Sequence, residues 1–122
     1  MHPQSREFQA GPDPFGRTWA IEFLWLQNAI SIRHADTIDV KFAVNDGVSR
    51  EEKVIALPHP LLLEFSAKSN TPVSDPLCMK LAAAHLKYMI ESGDDLEKPL
   101  VTLTRADLSR AFDSVTSAVT AH

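Results

Sequence analysis

The chain has 122 residues, 44% of them apolar and 23% charged, the balance of an ordinary soluble globular domain. That length supports one hydrophobic core and not comfortably two. Twelve basic against sixteen acidic side chains give a formal net charge of −4. Residues 1–61 and 62–122 each hold six basic and eight acidic groups, so no basic arm invites nucleic acid or an anionic membrane surface.

Residues 1–16 contain Pro3, Gly11, Pro12, Pro14 and Gly16. They lack a positive start followed by an apolar run, so they read as a flexible leader and not as a signal peptide. Residues 17–122 read as a single α+β domain. The longest apolar-rich stretch, residues 19–32, is broken by Glu22, Gln27, Asn28 and Ser31. It falls short of the roughly 20 apolar residues a membrane helix needs. Cys78 is the only cysteine, which excludes an intramolecular disulfide and a thiolate zinc cluster. A reducing, cytoplasmic location is the simpler expectation.

Residues 18–26 are rich in aromatic and branched side chains. Read as a strand, Trp19, Ile21, Phe23 and Trp25 share one face, and Ala20, Glu22, Leu24 and Leu26 the other. Trp19, Phe23, Leu26 and Ile30 also fall near helical spacing, but aromatic enrichment favours the strand. Residues 29–33 extend it or begin another strand. From Thr37 to Asn45 the alternation is clean, with Ile38, Val40, Phe42 and Val44 on one face. Asp46-Gly47 supplies the positive φ of a turn, and residues 50–57 return as a second strand ended by Pro58.

After Pro58 the period becomes helical. A short helix is expected over residues 59–68 and broken at Ser69-Asn70-Thr71-Pro72. The next helix takes Asp75 as N-cap, Pro76 as first residue and Gly93 as stop. Its buried side carries Cys78, Ala82, His85 and Met89; Lys80, Lys87 and Glu91 lie opposite. Residues 99–103 are a short edge strand or an extended approach. Thr104 caps the last helix with Asp107 in capping-box position. Leu108, Ala111, Phe112, Val115 and Val119 form its apolar stripe, and Arg110 lies on the far face.

Motifs with a mechanism are scarce. No glycine-rich phosphate loop, Gly-x-Ser-x-Gly elbow or His-Glu-x-x-His pair occurs. The candidate ligand-binding residues are His34, Asp36 and His59. An imidazole beside a carboxylate suits base catalysis or metal binding. A polar turn accounts for the first two equally well, and a Pro-x-Pro strand exit accounts for His59. Cys78 and His85 lie two turns apart on one helix, about 10 Å, too far for a dyad. They read as a core thiol and a core histidine bonded to a backbone carbonyl. Arg50-Glu51-Glu52-Lys53 reads as solvation at an outer strand.

The fold expectation is α+β: an N-terminal antiparallel meander of three or four strands, then about three helices packed on one face of the sheet. The leading functional expectation is a non-catalytic interaction module that forms a homodimer. Its interface is expected at Trp19, Phe23, Leu24 and Trp25, because one helical layer covers only one face of a sheet. The alternative is a small-molecule-binding protein or small enzyme, with a pocket between sheet and helices using His34, Asp36 and His59. No catalytic residue, cofactor, metal, nucleic acid or membrane partner is expected.

Overall fold

The computed structural model describes residues 7–29 and 36–120. Five strands and three helices follow one another as β1 (Glu7–Ala10), β2 (Trp19–Ala29), β3 (Thr37–Asn45), β4 (Arg50–Pro58), α1 (His59–Ser69), α2 (Asp75–Ser92), β5 (Leu100–Thr102) and α3 (Arg105–Thr120). The strands form one sheet in the order β1-β2-β3-β4-β5. The first four are an antiparallel meander, and β5 joins β4 in parallel after the α1–α2 crossover. The α+β architecture expected of the sequence is therefore present: the meander has four strands, and β5 forms within the segment expected as a short edge strand.

The meander begins at β1. Within the stretch expected as a leader, Glu7–Ala10 pair with β2, Phe8 with Ile21 and Ala10 with Trp19. The Phe8 ring meets Phe42 edge-on at 6.3 Å. Asp13, inside the connection to β2, holds the turn. Its Oδ1 accepts from the amides of Phe15 and Arg17, and its Oδ2 from Arg17 Nε and Trp19 Nε1. Trp19 is consequently a core residue, 4% exposed.

One departure from strict alternation is a bulge. β2 and β3 pair Phe23 with Phe42, then Trp25 with Lys41 and Leu26 with Val40, so Leu24 is the extra residue. One inserted residue inverts the alternation beyond it. Trp19, Ile21 and Phe23 lie on the core face, whereas Trp25 moves to the outer face and Leu26 returns to the core. The two β2 faces expected from strict alternation are each a mixture.

The hairpin matches the sequence closely. Gly47 has φ +95°. The Asp46 carboxylate accepts from the amides of Val48 and Ser49, and Asn45 Oδ1 from Gly47. In β4 the charged start hides an inward residue. Lys53 pairs with core-facing Phe42 and is 1% exposed. Its Nζ donates to the carbonyls of Leu96, at 2.6 Å, and Lys98, at 2.9 Å. That contact fastens the loop leading into β5, where Val54 donates to Pro99 and Leu103 to Ala56.

α2 and α3 have side-chain N-caps, with one shift: Ser74, not Asp75, is the α2 N-cap, its side chain accepting from Leu77 N at 3.2 Å. Gly93 closes α2 with φ +81°. Thr104 and Asp107 form the reciprocal capping box of α3. Leu77, Cys78, Leu81, Ala82, Leu86, Met89 and Ile90 of α2 pack on the inner face of the sheet and against Leu108, Ala111 and Phe112 of α3. Among the described residues no helix is long and apolar enough to cross a membrane.

Candidate functional site

The residues singled out in the sequence separate into three places. His34 lies outside the described residues. Asp36 and His59 do come together, because β3 and β4 pair Thr37 with Pro58. His59 N donates to Asp36 O at 2.8 Å. The link is between backbones, with the Asp36 side chain exposed and His59 half-buried. A cleft of about 190 Å³ does exist between sheet and helix, but Phe8, Phe23, Phe42, Pro76, Met79, Lys80 and Ala83 line it, and neither Asp36 nor His59 does.

The expected interface residues are likewise divided. Trp19 is buried and Phe23 packs on Phe42 with ring centroids 6.2 Å apart, so both serve the core. Leu24 sits half-buried at the bulge. Trp25 alone of the four stands in the outer face, 36% exposed, with Lys41 Nζ 5.4 Å from its ring centroid. Register extends this into a row across four strands: Trp25, Lys41, Val54 and Leu100. Leu100 is 56% exposed. Lys41 also pairs with Glu52 at 2.7 Å, which holds that carboxyl below its usual range.

The densest polar arrangement lies on the other side of the molecule, in a groove of about 260 Å³ between α2 and α3. Helical spacing builds it. His85, Tyr88 and Glu91 project from one side of α2 at intervals of three, with Ala84 and Lys87 beside them, and Asp107, Arg110, Ala111 and Ser114 face them from α3. His85 stacks on Tyr88 with ring centroids 5.9 Å apart, and the Arg110 guanidinium lies 3.9 Å over the Tyr88 ring. Tyr88 in turn donates its hydroxyl to Asp94 at 3.2 Å.

His85 is 4% exposed, and neither Nδ1 nor Nε2 has a hydrogen-bond partner. The carbonyl bond expected for a core histidine is therefore not made. Burial pushes its pKa down; Asp107 and Asp95 oppose that shift and Arg110 reinforces it. The ring is thus neutral at physiological pH. Burial favours the protonated form of Asp107, but the amide and hydroxyl of Thr104 outweigh it, with Arg110 assisting, and its pKa is lowered. A neutral imidazole facing an ionised carboxylate, with no bond between them, leaves one donor and one acceptor unused.

Sequence reasoning placed His85 inside and Arg110 outside, and missed that α2 and α3 meet so that both line one groove. The available signal was a pair of i, i+3 polar couples, His85–Tyr88 and Asp107–Arg110, on two consecutive helices. Among the described residues no three His, Cys, Asp or Glu side chains are grouped to hold a metal ion. Cys78 is buried, and desolvation, aided by Asp75, pushes its thiol up to about 11. Comparison with protein-family models, with curated proteins and with solved structures finds no match to this chain.

Proposed function

We propose that this protein is a non-catalytic interaction module that pairs with a second copy of itself through the outer face of its sheet. The observation that carries the reading is the cross-strand row Trp25–Lys41–Val54–Leu100, three of whose four side chains are apolar on the face opposite the helices. Ala43 and Ala56 lie on the same face and are covered by their own neighbours. The charges of the face are of both signs. Arg50 lies 3.9 Å from both Glu22 and Glu52, and Lys41 reaches Glu52. A two-fold axis through such a face sets cations of one copy against carboxylates of the other. The non-catalytic part of the reading draws support from Cys78, whose buried thiol with its raised pKa is a poor nucleophile.

Light scattering of the full chain at micromolar concentration tests the reading. A dimeric mass is expected, and Trp25→Asp or Leu100→Asp shifts it to monomer with an unchanged far-ultraviolet circular dichroism spectrum. A monomeric mass for the unmodified chain overturns self-association. A dimer that survives both substitutions overturns the assigned face.

A further inference from the structure

We propose that the cleft between the sheet and the first half of α2 is a binding site for a small aromatic carboxylate, its ring held by Phe8, Phe23 and Met79 and its carboxylate by Lys80. The cleft opens on the inner face of the sheet, away from the row through Trp25, so it does not depend on self-association.

The cleft follows from how three helices share five strands. α1 packs on β4, and α3 packs on α1 and α2. The β1–β2 end of the inner face has α2 for its cover. There α2 presents Pro76, Met79, Lys80 and Ala83, one side of the helix at i, i+3, i+4 and i+7. Pro76 and Ala83 are short, and a gap of about 190 Å³ stays open beside Phe8 and Phe23. Both phenyl rings pack against the core and yet are only half-buried, as is Met79. Apolar surface left wet inside a cleft favours a ligand that displaces its water.

The walls favour a ring. Phe8 and Phe23 stand edge-on to Phe42, with centroids 6.3 and 6.2 Å away and interplanar angles of 88° and 71°. Phe42 is 1% exposed and fixed between β2 and β4 by their register. A ligand ring therefore extends an aromatic cluster that is already arranged. The Met79 thioether adapts to it from the helix side. An apolar cavity of about 150 Å³ accepts benzene. The slightly larger cleft suits one six-membered ring with a short arm, not a fused ring system.

The sign of the arm comes from Lys80. It is the one charged side chain among the described residues lining the cleft, and it is exposed. Lys41, Lys68 and Lys98 each lie beside a carboxylate of their own chain, whereas Lys80 has no such partner among the described residues. An apolar cleft with a single unneutralised cation at its rim complements a ligand with an apolar body and an anionic end.

The test uses the full chain labelled with carbon-13 at the methionine methyl groups. A ring bound beside Met79 shifts its methyl signal, while Met89, buried in the core, reports the fold. The probe is phenylacetate; phenylethanol supplies the ring without the charge, and acetate the charge without the ring. Saturable movement of the Met79 signal is expected at millimolar phenylacetate, with Met89 unmoved. Phenylethanol should bind about fivefold more weakly, the share of one exposed ion pair, and acetate should leave Met79 in place. Lys80→Gln should bring phenylacetate down to the level of phenylethanol and leave phenylethanol unchanged. Ala83→Leu fills the cleft from the helix side and should abolish binding of both, with the Met89 signal held in place. A Met79 signal that stays put in phenylacetate overturns the proposal, as does binding that survives Ala83→Leu. Phenylethanol as tight as phenylacetate, or binding of phenylacetate indifferent to Lys80→Gln, overturns the carboxylate; acetate as tight as phenylacetate overturns the ring.

Discussion

The indole Nε1 of Trp19 donates to Oδ2 of Asp13 at 3.0 Å, inside the turn that joins β1 to β2. The same oxygen accepts from Arg17 Nε at 2.8 Å, and Arg17 NH1 continues to Asp46 Oδ2 in the β3–β4 hairpin at 2.9 Å. One buried carboxylate thus ties the first strand connection to the third. Burial alone raises its pKa, but the bonds from Arg17, Trp19 and Phe15 prevail and bring it to about 2.

Asp13→Asn should lower the melting temperature by several degrees near neutral pH. The acid dependence gives the sharper test. The folded pKa lies below the unfolded one, so the stabilisation is complete above the unfolded value, about 4, and disappears as pH falls toward the folded value. The gap between wild type and Asp13→Asn should therefore narrow from about pH 5 to about pH 2. Thermal melts across that range decide it, and a constant gap counts against the assignment.

Lys53 should be the residue that holds β5 on the sheet. Its ammonium is taken up by the Leu96 and Lys98 carbonyls, so removing it strips both of their donor. Burial lowers its pKa, while Glu51 and Glu97 help to keep the charge. Lys53→Met preserves most of the stem and should still cost about 1–3 kcal/mol. Hydrogen exchange locates the damage: the Val54 and Leu103 amides, bonded to Pro99 and Ala56 across the β4–β5 pair, should lose protection before those within β2 and β3. Uniform loss of protection excludes the fastening role.

These two residues mark where the sequence stops being legible. The clean alternation of residues 37–45, the Asp46-Gly47 turn and the capped amphipathic helices announce themselves through local spacing. Lys53 does not, because a lysine among Arg50, Glu51 and Glu52 carries the signature of a solvated strand end. Only the register with Phe42 turns it inward. Likewise nothing local signals that Leu24 is a bulge, and one inserted residue reassigns Trp25 and Leu26 to opposite faces. Short β1 has four residues, too few for periodicity to show, and Pro12 and Pro14 after it suggest a leader. The groove was hidden for another reason: it belongs to the packing of two helices, each of which reads correctly by itself.

Gly11 and Gly47 should differ in tolerance. Both have positive φ, +127° and +95°. A Cβ on Gly47 meets nothing within 4 Å, so Gly47→Ala carries only the conformational cost, about 1 kcal/mol. A Cβ on Gly11 falls 2.7 Å from the Arg17 carbonyl oxygen, which is backbone and holds the Asp13 amide. Gly11→Ala should cost clearly more, since the turn around Asp13 must move. Chemical denaturation of both variants ranks them, and equal midpoints remove the distinction.

His85 should make the folded state sensitive to mild acid. The groups facing it pull in different directions: Asp107 and Asp95 favour the imidazolium, Arg110 opposes it, and burial, the largest influence, sets the net depression. The unfolded chain therefore takes up a proton at a pH where the folded chain still resists. Stability is complete above the unfolded pKa, about 6.5, and declines as pH falls through that value toward the folded one. His85→Leu keeps most of the volume, has nothing to protonate and leaves no imidazole unpaired. Between about pH 7 and pH 5 the melting temperature of the wild type should fall relative to that of His85→Leu. His85→Ala should be less stable than His85→Leu throughout, because it opens a cavity against Tyr88 and the surrounding core. Melting temperatures of the wild type and His85→Leu that run parallel through this window would show that the imidazole is solvated in the folded chain, and would remove the unpaired ring from the groove.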